Sequence, residues 1–260
     1  MTLYHYTSLD NFFSIWKSKA LWFSYSKNTN DFFEREKTYV VCQDTFTYKG
    51  KSLDRTFFSG FRKSLGDELD RYRQVSFCLD YSREMPGYAS PMMWGQYARS
   101  KNGEGHWQDG VCLAFDSEML VRPPMPFFER KVYYSENVKP PYVRGINITC
   151  EDAAERFVVK NKRQLFFTKH RHWEHEREYR FVSKTAKEIG IADAIIGVYV
   201  LNTDDSTLDK IEEVVKDDKI INLVRTTSLK SLSLSAINLW DIRDLRKMMR
   251  EMNEGKKNGN

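Results

Sequence analysis

Trp173-Glu174-His175-Glu176-Arg177-Glu178-Tyr179-Arg180-Phe181 is the stretch on which the reading of this chain turns. Taken as a strand, its side chains alternate between two faces. Glu174, Glu176, Glu178 and Arg180 share one face, and His175, Arg177, Tyr179 and Phe181 share the other. Carboxylates two residues apart repel one another, and Glu is a weak strand former. Arg180 can partner one of the three carboxylates but not all of them. Two readings stay open from these residues. One is a solvated edge strand whose acids face water. The other is a Glu-x-Glu pair, Glu176 and Glu178, projecting into a cleft, where chemistry or a tightly paired cation tolerates the cost.

Just upstream, His170, His172 and His175 cluster ahead of the carboxylates, with only His5 and His106 elsewhere. Imidazole and carboxylate together suit zinc, but no second ligand cluster with metal spacing accompanies them. The plainer reading is a basic surface patch with Arg163, Lys169 and Arg171, which is able to touch phosphates. From Arg156 to Arg180 there are eight Lys or Arg against three Glu.

Further out, strands alternate irregularly with helices, which indicates α+β rather than a doubly wound sheet. Leu3-Tyr4-His5-Tyr6 reads as a first strand, with His5 opposite the faces of Tyr4 and Tyr6. Thr7 or Ser8 then caps a helix carrying Leu9, Phe12, Phe13 and Trp16. Asn30-Asp31-x-x-Glu34 reads as a helix cap ahead of a site role, with that helix running through Val41. Asp54 to Arg71 is helical, and Gln74 to Leu79 is a strand. Ser90-Pro91 caps the helix that bears Trp94 and Tyr97. Val111 to Phe115 is a buried strand. Pro123 to Pro141 holds five of the seven prolines around one short strand, Lys131 to Tyr134, and suggests a connecting or lid-like segment. Glu151 to Phe167 is a helix, Ile195 to Leu201 a buried strand and Ser206 to Val215 an amphipathic helix. Asn222 to Arg225 and Leu229 to Leu234 are closing strands, and a last helix starts near Trp240. A single domain over 3–250 with a disordered polar tail at 251–260 is the expected organisation.

The 260 residues are 41% hydrophobic and 14% aromatic, enough for a packed core and unlike a disordered chain. The net charge of +5 permits an anionic partner without demanding one. Cys42, Cys78, Cys112 and Cys150 are scattered with no Cys-x-x-Cys, so most of them read as buried free thiols, which argues for a reducing cytoplasm. The start of the chain lacks the basic and apolar regions of a signal peptide, and no apolar run is long enough to span a bilayer. Gly103-Glu104-Gly105 lacks the third glycine of a phosphate-binding fingerprint, and no Walker sequence is present.

A strand His near the start, an aromatic in the middle and a late Glu-x-Glu together resemble the ADP-ribosyltransferase superfamily. More closely, the chain resembles the bacterial domain-of-unknown-function family 2971. The matching pieces are Leu3-Tyr-His-Tyr-Thr-Ser8, Asn30-Asp31-x-x-Glu34, Ser76-Phe-Cys78, Met93-Trp94-x-x-Tyr97-Ala98 and Trp173-x-x-Glu176-x-Glu178-Tyr179-Arg180. The resemblance implies an ADP-ribosyltransferase-like fold: split mixed and antiparallel β-sheets around an NAD cleft, flanked by helices. It implies NAD as substrate and no metal. Glu178 would hydrogen-bond the ribose 2′-hydroxyl and stabilise the cation that forms as nicotinamide leaves. Glu176 would orient or deprotonate the acceptor, with Glu174 as the alternative if the register slips by two. His5 would hold the adenosine-side ribose, or Tyr6 in the opposite register, next to Thr7. Ser76 would complete the middle motif, and Tyr97 would stack on nicotinamide. Lys27, Arg99 and Lys101 lie near the motifs as candidate pyrophosphate contacts.

The function implied is transfer of ADP-ribose to a macromolecule, nucleic acid and preferably RNA, by a toxin or phage-defence effector. It leaves room for an antitoxin or chaperone partner and involves no membrane. The rivals are an NAD glycohydrolase and a catalytically inactive module that binds nucleic acid or a partner protein.

Overall fold

A computed structural model describes residues 1–25, 29, 31, 34, 47–48, 51–52, 55–101, 103, 105–122, 127–143, 152–201, 205–216, 220–228, 231–239 and 241. Over them the chain is α+β. In order, it forms β1 (Thr2–Thr7), α1 (Leu9–Ser18), β2 (Ala20–Trp22), β3 (Ser24–Tyr25), β4 (Thr47–Tyr48), β5 (Lys51–Ser52), α2 (Arg55–Leu69) and β6 (Arg73–Cys78). Next come α3 (Pro91–Tyr97), β7 (Arg99–Lys101), β8 (Trp107–Asp109), β9 (Val111–Asp116), β10 (Phe127–Lys131), β11 (Tyr133–Ser135), α4 (Ala153–Phe166) and β12 (Thr168–His170). The last are β13 (Glu178–Ser183), β14 (Glu188–Gly190), β15 (Ile195–Leu201), α5 (Asp205–Val215), β16 (Ile221–Ser228) and β17 (Ser231–Asn238). Short 3-10 turns lie at Gly87–Ala89 and Arg171–Glu176. No helix among the described residues is long and apolar enough to cross a membrane.

The chain divides into two compact units. The first takes Met1–Leu21, Phe77–Val121 and the chain from Gly190 onward; the second takes Trp22–Ser76 and Arg122–Ile189.

In the first unit β9 is central. Its residues Val111 to Phe115 are all buried, as a strand covered on both faces should be. β1 pairs antiparallel with it, Tyr4 opposite Ala114 and Thr7 opposite Val111. On its other side β15 is also antiparallel, with a bulge between Ile195 and Gly197. β16 then runs parallel to β15, and β17 antiparallel to β16. At the other edge of β1, Tyr4 faces Cys78, the last residue of β6. Ser8, rather than Thr7, caps α1 by accepting from the Asn11 amide, and Lys19 closes the helix in the left-handed region. Ser90 caps α3, with Pro91 at its first turn.

The second unit is built around β13. β10 pairs antiparallel with it, Phe128 opposite Val182, and β6 lies on its other side. β3 joins β6 with Ser24 opposite Gln74. Helices α2 and α4 pack through Phe61, Leu65, Phe157 and Phe166, together with Val182 of β13. β11 and β12 form a small parallel pair, Tyr134 opposite Lys169.

The reading of 173–181 as one continuous strand is corrected. Arg171–Glu176 is a 3-10 turn, and the strand begins at Glu178. Arg177 between them adopts φ 47° and ψ 43°, which no strand residue does. The single short strand expected at Lys131–Tyr134 is two strands, β10 and β11, with buried Val132 between them. Cys78 and Cys112 are buried free thiols. Lys27, Asn30, Val41, Cys42, Glu104, Cys150, Trp240 and the tail at 251–260 lie outside the described residues.

Candidate functional site

The second unit buries five charged side chains in one cluster, and β13 supplies two of them. Alternation along the strand turns Glu178 and Arg180 to the same face. Arg180 is fully buried, and its Nε and Nη2 donate to the two oxygens of Glu178 at 2.7 and 2.6 Å. Such a fork fixes both partners more firmly than a single contact. Arg180 Nη1 donates to Glu34 Oε1 and to the Phe166 carbonyl, both at 2.6 Å. Lys169, buried at the centre of β12, donates to Glu176 Oε2 at 2.6 Å and sits 2.9 Å from Glu178 Oε2. Its Nζ lies 3.9 Å from Glu34 Oε2 and 5.5 Å from the Trp173 ring centre. The Glu178 amide donates to the Tyr134 hydroxyl at 2.9 Å.

The 3-10 turn is what brings Glu176 inward. The His172 amide donates to His170 Nδ1, and the Arg177 amide donates to the Glu174 carbonyl. The turn points Glu174 outward, where it pairs with Arg171 at 3.5 Å, while Glu176 is 3% exposed. The edge-strand reading therefore fails for Glu176 and Glu178, which face cations rather than water. His170 and His172 meet edge to face at 4.3 Å. Among the described residues no group of three or more His, Cys, Asp or Glu is arranged to hold a metal ion.

The electrostatics follow from burial and pairing. Burial alone would push the Glu178 carboxyl up. Arg180 and Lys169 beside it, with hydrogen bonds from Arg180 and Ser76, instead hold it well below the usual carboxylate range. Burial would lower Lys169 and Arg180, yet Glu178 and Glu34 raise both above their ordinary values. Glu178, Lys169 and Arg180 are thus charged at neutral pH, in a cluster of three carboxyl groups and two cationic side chains. Burial raises the Tyr134 hydroxyl, and the Glu178 charge adds to the effect, so it stays protonated.

The first unit holds the aromatic candidates. Tyr4 and Tyr6 share one face of β1, with Cys78, Met93, Trp94 and Cys112. The Tyr6 ring meets Trp94 edge-on at 5.2 Å, and its hydroxyl donates to the Gly87 carbonyl at 2.6 Å. Tyr88 and Tyr199 stack at 4.2 Å, with Tyr4 edge-on to both. Burial lifts the Tyr199 hydroxyl to about 12 and those of Tyr4 and Tyr6 higher still. Tyr97 is half-buried at the rim of this cluster. Thr7 is buried at the end of β1. His5 is half-buried on the opposite face of the strand, edge-on to Phe77 at 5.9 Å. His5 and Tyr6 are therefore alternatives for one ligand, not a pair.

The structure thus joins Ser76, Glu176 and Glu178 in one unit, and Tyr6 with Tyr97 in the other. Glu34, read as a capping residue, is a counter-ion of Arg180. Lys169, expected in a surface basic patch with Arg163 and Arg171, is instead 6% exposed among the carboxylates, and Tyr134 was expected only as the end of a strand. The Glu-x-Arg spacing of 178 and 180 was a usable signal for one pair, but nothing local pointed to Lys169 or Glu34. No curated protein and no solved structure matches the chain. Residues 93–181, about a third of the chain, match the family model described as a protein of unknown function (DUF2971), a stretch spanning the Met93-Trp94-x-x-Tyr97-Ala98 and Glu176-x-Glu178-Tyr179-Arg180 motifs.

Proposed function

We propose that this chain is an ADP-ribosyltransferase that moves ADP-ribose from NAD to a nucleic acid, RNA above DNA, as a toxin or phage-defence effector. One observation carries the reading. Glu178 sits at the start of a strand, held ionised by Arg180 and hydrogen-bonded by Ser76 of the neighbouring strand. A carboxylate kept charged and fixed in direction suits a group that must accept from a ribose hydroxyl and offset positive charge at the reacting carbon. Glu176, bonded to Lys169 at 2.6 Å, is assigned to the acceptor. His5 or Tyr6, with Thr7, Ser76 and Tyr97, is assigned to NAD. Half-exposed Tyr97 offers a ring for stacking. The match over residues 93–181 supports two of the five motifs, those of Tyr97 and of Glu176-x-Glu178.

The test is incubation of the purified protein with labelled NAD and total cellular RNA, DNA and protein. Label on RNA is the expected result, lost in Glu178→Gln. Free ADP-ribose without labelled macromolecule would shift the reading to an NAD glycohydrolase. Folded protein that leaves NAD intact would end the enzymatic reading.

A second reading has its own support. Both Glu176 and Glu178 are 3% exposed and paired with cations, as in a structural ion cluster of a non-catalytic binding module. That reading expects Glu178→Gln to keep the biological effect wherever circular dichroism shows the fold intact.

A further inference from the structure

In the second unit, strand β11 and helix α4 border a cavity of about 460 Å³, a size typical of small-ligand sites. Lys139, Lys160 and Arg163 line it, and no carboxylate is present among its described lining residues. Among the described residues, Glu136 pairs with Arg171 at 2.7 Å, Glu155 with Lys184 at 2.9 Å and Asp152 with Arg156 at 3.1 Å. Three cations around one hollow make a local field that favours a polyanion.

Two further features narrow the ligand. Tyr133 lines the cavity and is 55% exposed, with the Arg163 guanidinium 5.5 Å from its ring centre. An exposed ring backed by a guanidinium is a stacking platform for an unpaired base. Asn137, Asn161 and Gln164 add amides to the lining, which can read base edges and the 2′-hydroxyl. Asn161 also interrupts α4. It departs from helical geometry at φ −106° and ψ 16°, and its Nδ2 donates to the Phe157 carbonyl at 2.9 Å.

We propose that this cavity is a binding site for single-stranded RNA, with Tyr133 stacking a base and Lys139, Lys160 and Arg163 taking flanking phosphates. It deepens the nucleic-acid reading above, yet binding here does not depend on transfer chemistry.

The test is fluorescence anisotropy of the full chain with a labelled oligouridylate, in the absence of NAD. Tyr133→Ala should weaken binding roughly tenfold. Lys139→Ala with Arg163→Ala should lower the slope of log affinity against log salt by about 1.4, the share of two phosphate contacts. All three side chains are exposed, so thermal unfolding should be unchanged. As a second measurement on the unaltered protein, a photoreactive uridine should crosslink to Tyr133 or its neighbours on β11. Unchanged affinity in these variants, crosslinks confined to other segments, or equal affinity for duplex RNA or the deoxy oligomer would each overturn the proposal. Binding that behaves as expected, alongside no consumption of NAD, would sink the transferase reading and leave this one standing.

Discussion

Arg180 Nη1 lies 2.6 Å from Glu34 Oε1, joining positions 146 residues apart inside the second unit. The same guanidinium forks onto Glu178. One buried cation therefore holds two carboxylates, and each would be costly to bury alone. Arg180→Met removes that cation and keeps most of the volume. Glu34 and Glu178 then keep Lys169, at 3.9 and 2.9 Å, as a neighbouring cation. Urea unfolding should show a loss of about 3–5 kcal/mol, the usual result of breaking a buried pair from one side. A loss below 1 kcal/mol would mean that the cluster reorganises around Lys169.

The cluster also sets a pH window. Glu178 has a folded pKa depressed below its ordinary 4.5. Its contribution is fully present above that value and is lost as pH falls through the folded value. Lys169 is raised above its ordinary 10.5. Its contribution is full below that value and is lost as pH rises through the folded value. The contribution of this cluster should therefore be flat between these limits and fall on both sides. Denaturant titration across pH checks this, and Glu178→Gln should flatten the acid limb specifically.

Much of the architecture was legible because it is local. Ser8 and Ser90 each precede an apolar helical run, and both cap as their side chains allow. Val111–Asp116 has an unbroken apolar start, and it is the buried centre of its sheet. The glutamate stretch was misread because period-two alternation fits a 3-10 turn followed by a strand almost as well as it fits a strand. What breaks the pattern is Arg177 in the left-handed region, and arginine gives no warning of that as glycine would. The acids were singled out as a cost requiring compensation, but that compensation came from Lys169 as well as Arg180, and Glu34 joined as a further buried carboxylate. The pairing with Lys169 and Glu34 is tertiary, and no spacing along the chain encodes it.

Gly110 tests the packing beside β1 in the first unit. Its amide donates to the Ala98 carbonyl, and a Cβ added there would overlap the Thr7 carbonyl oxygen and press on Ala98. Both obstacles are backbone, which cannot swing aside as a side chain can. Gly110→Ala should cost about 1–3 kcal/mol, as overpacking does elsewhere. Gly103, with open space around its added Cβ, is the control, and its alanine variant should unfold at the same denaturant concentration as the parent.

Cys112 supplies a chemical readout of the same unit. It is fully buried, and burial, with Cys78 beside it, pushes its thiol well above the ordinary range. The reactive species is the thiolate, which is scarce here and shielded from reagent. In the native protein at neutral pH, Cys112 should resist an aromatic disulfide reagent and react only on unfolding. Mass spectrometry of peptides after timed labelling measures this, and rapid native labelling of Cys112 would show that the tyrosine cluster opens.

Ser76 separates positioning from packing at the candidate catalytic glutamate. Its side chain hydrogen-bonds the Glu178 carboxylate and helps to keep it ionised. Removing a hydrogen bond to a charged group costs about 1.5–3 kcal/mol, and here the loss falls on the charged form of Glu178 alone. Ser76→Ala should therefore raise the folded pKa of Glu178 and move the acid limb of stability to higher pH, while Ser76→Thr, which keeps the hydroxyl, should restore it. If Glu178 performs the transfer chemistry, the same alanine variant should lower kcat more than it raises KM for NAD, because the bond orients the carboxylate. A purely structural serine would lower stability equally at all pH values and leave the acid limb where it was.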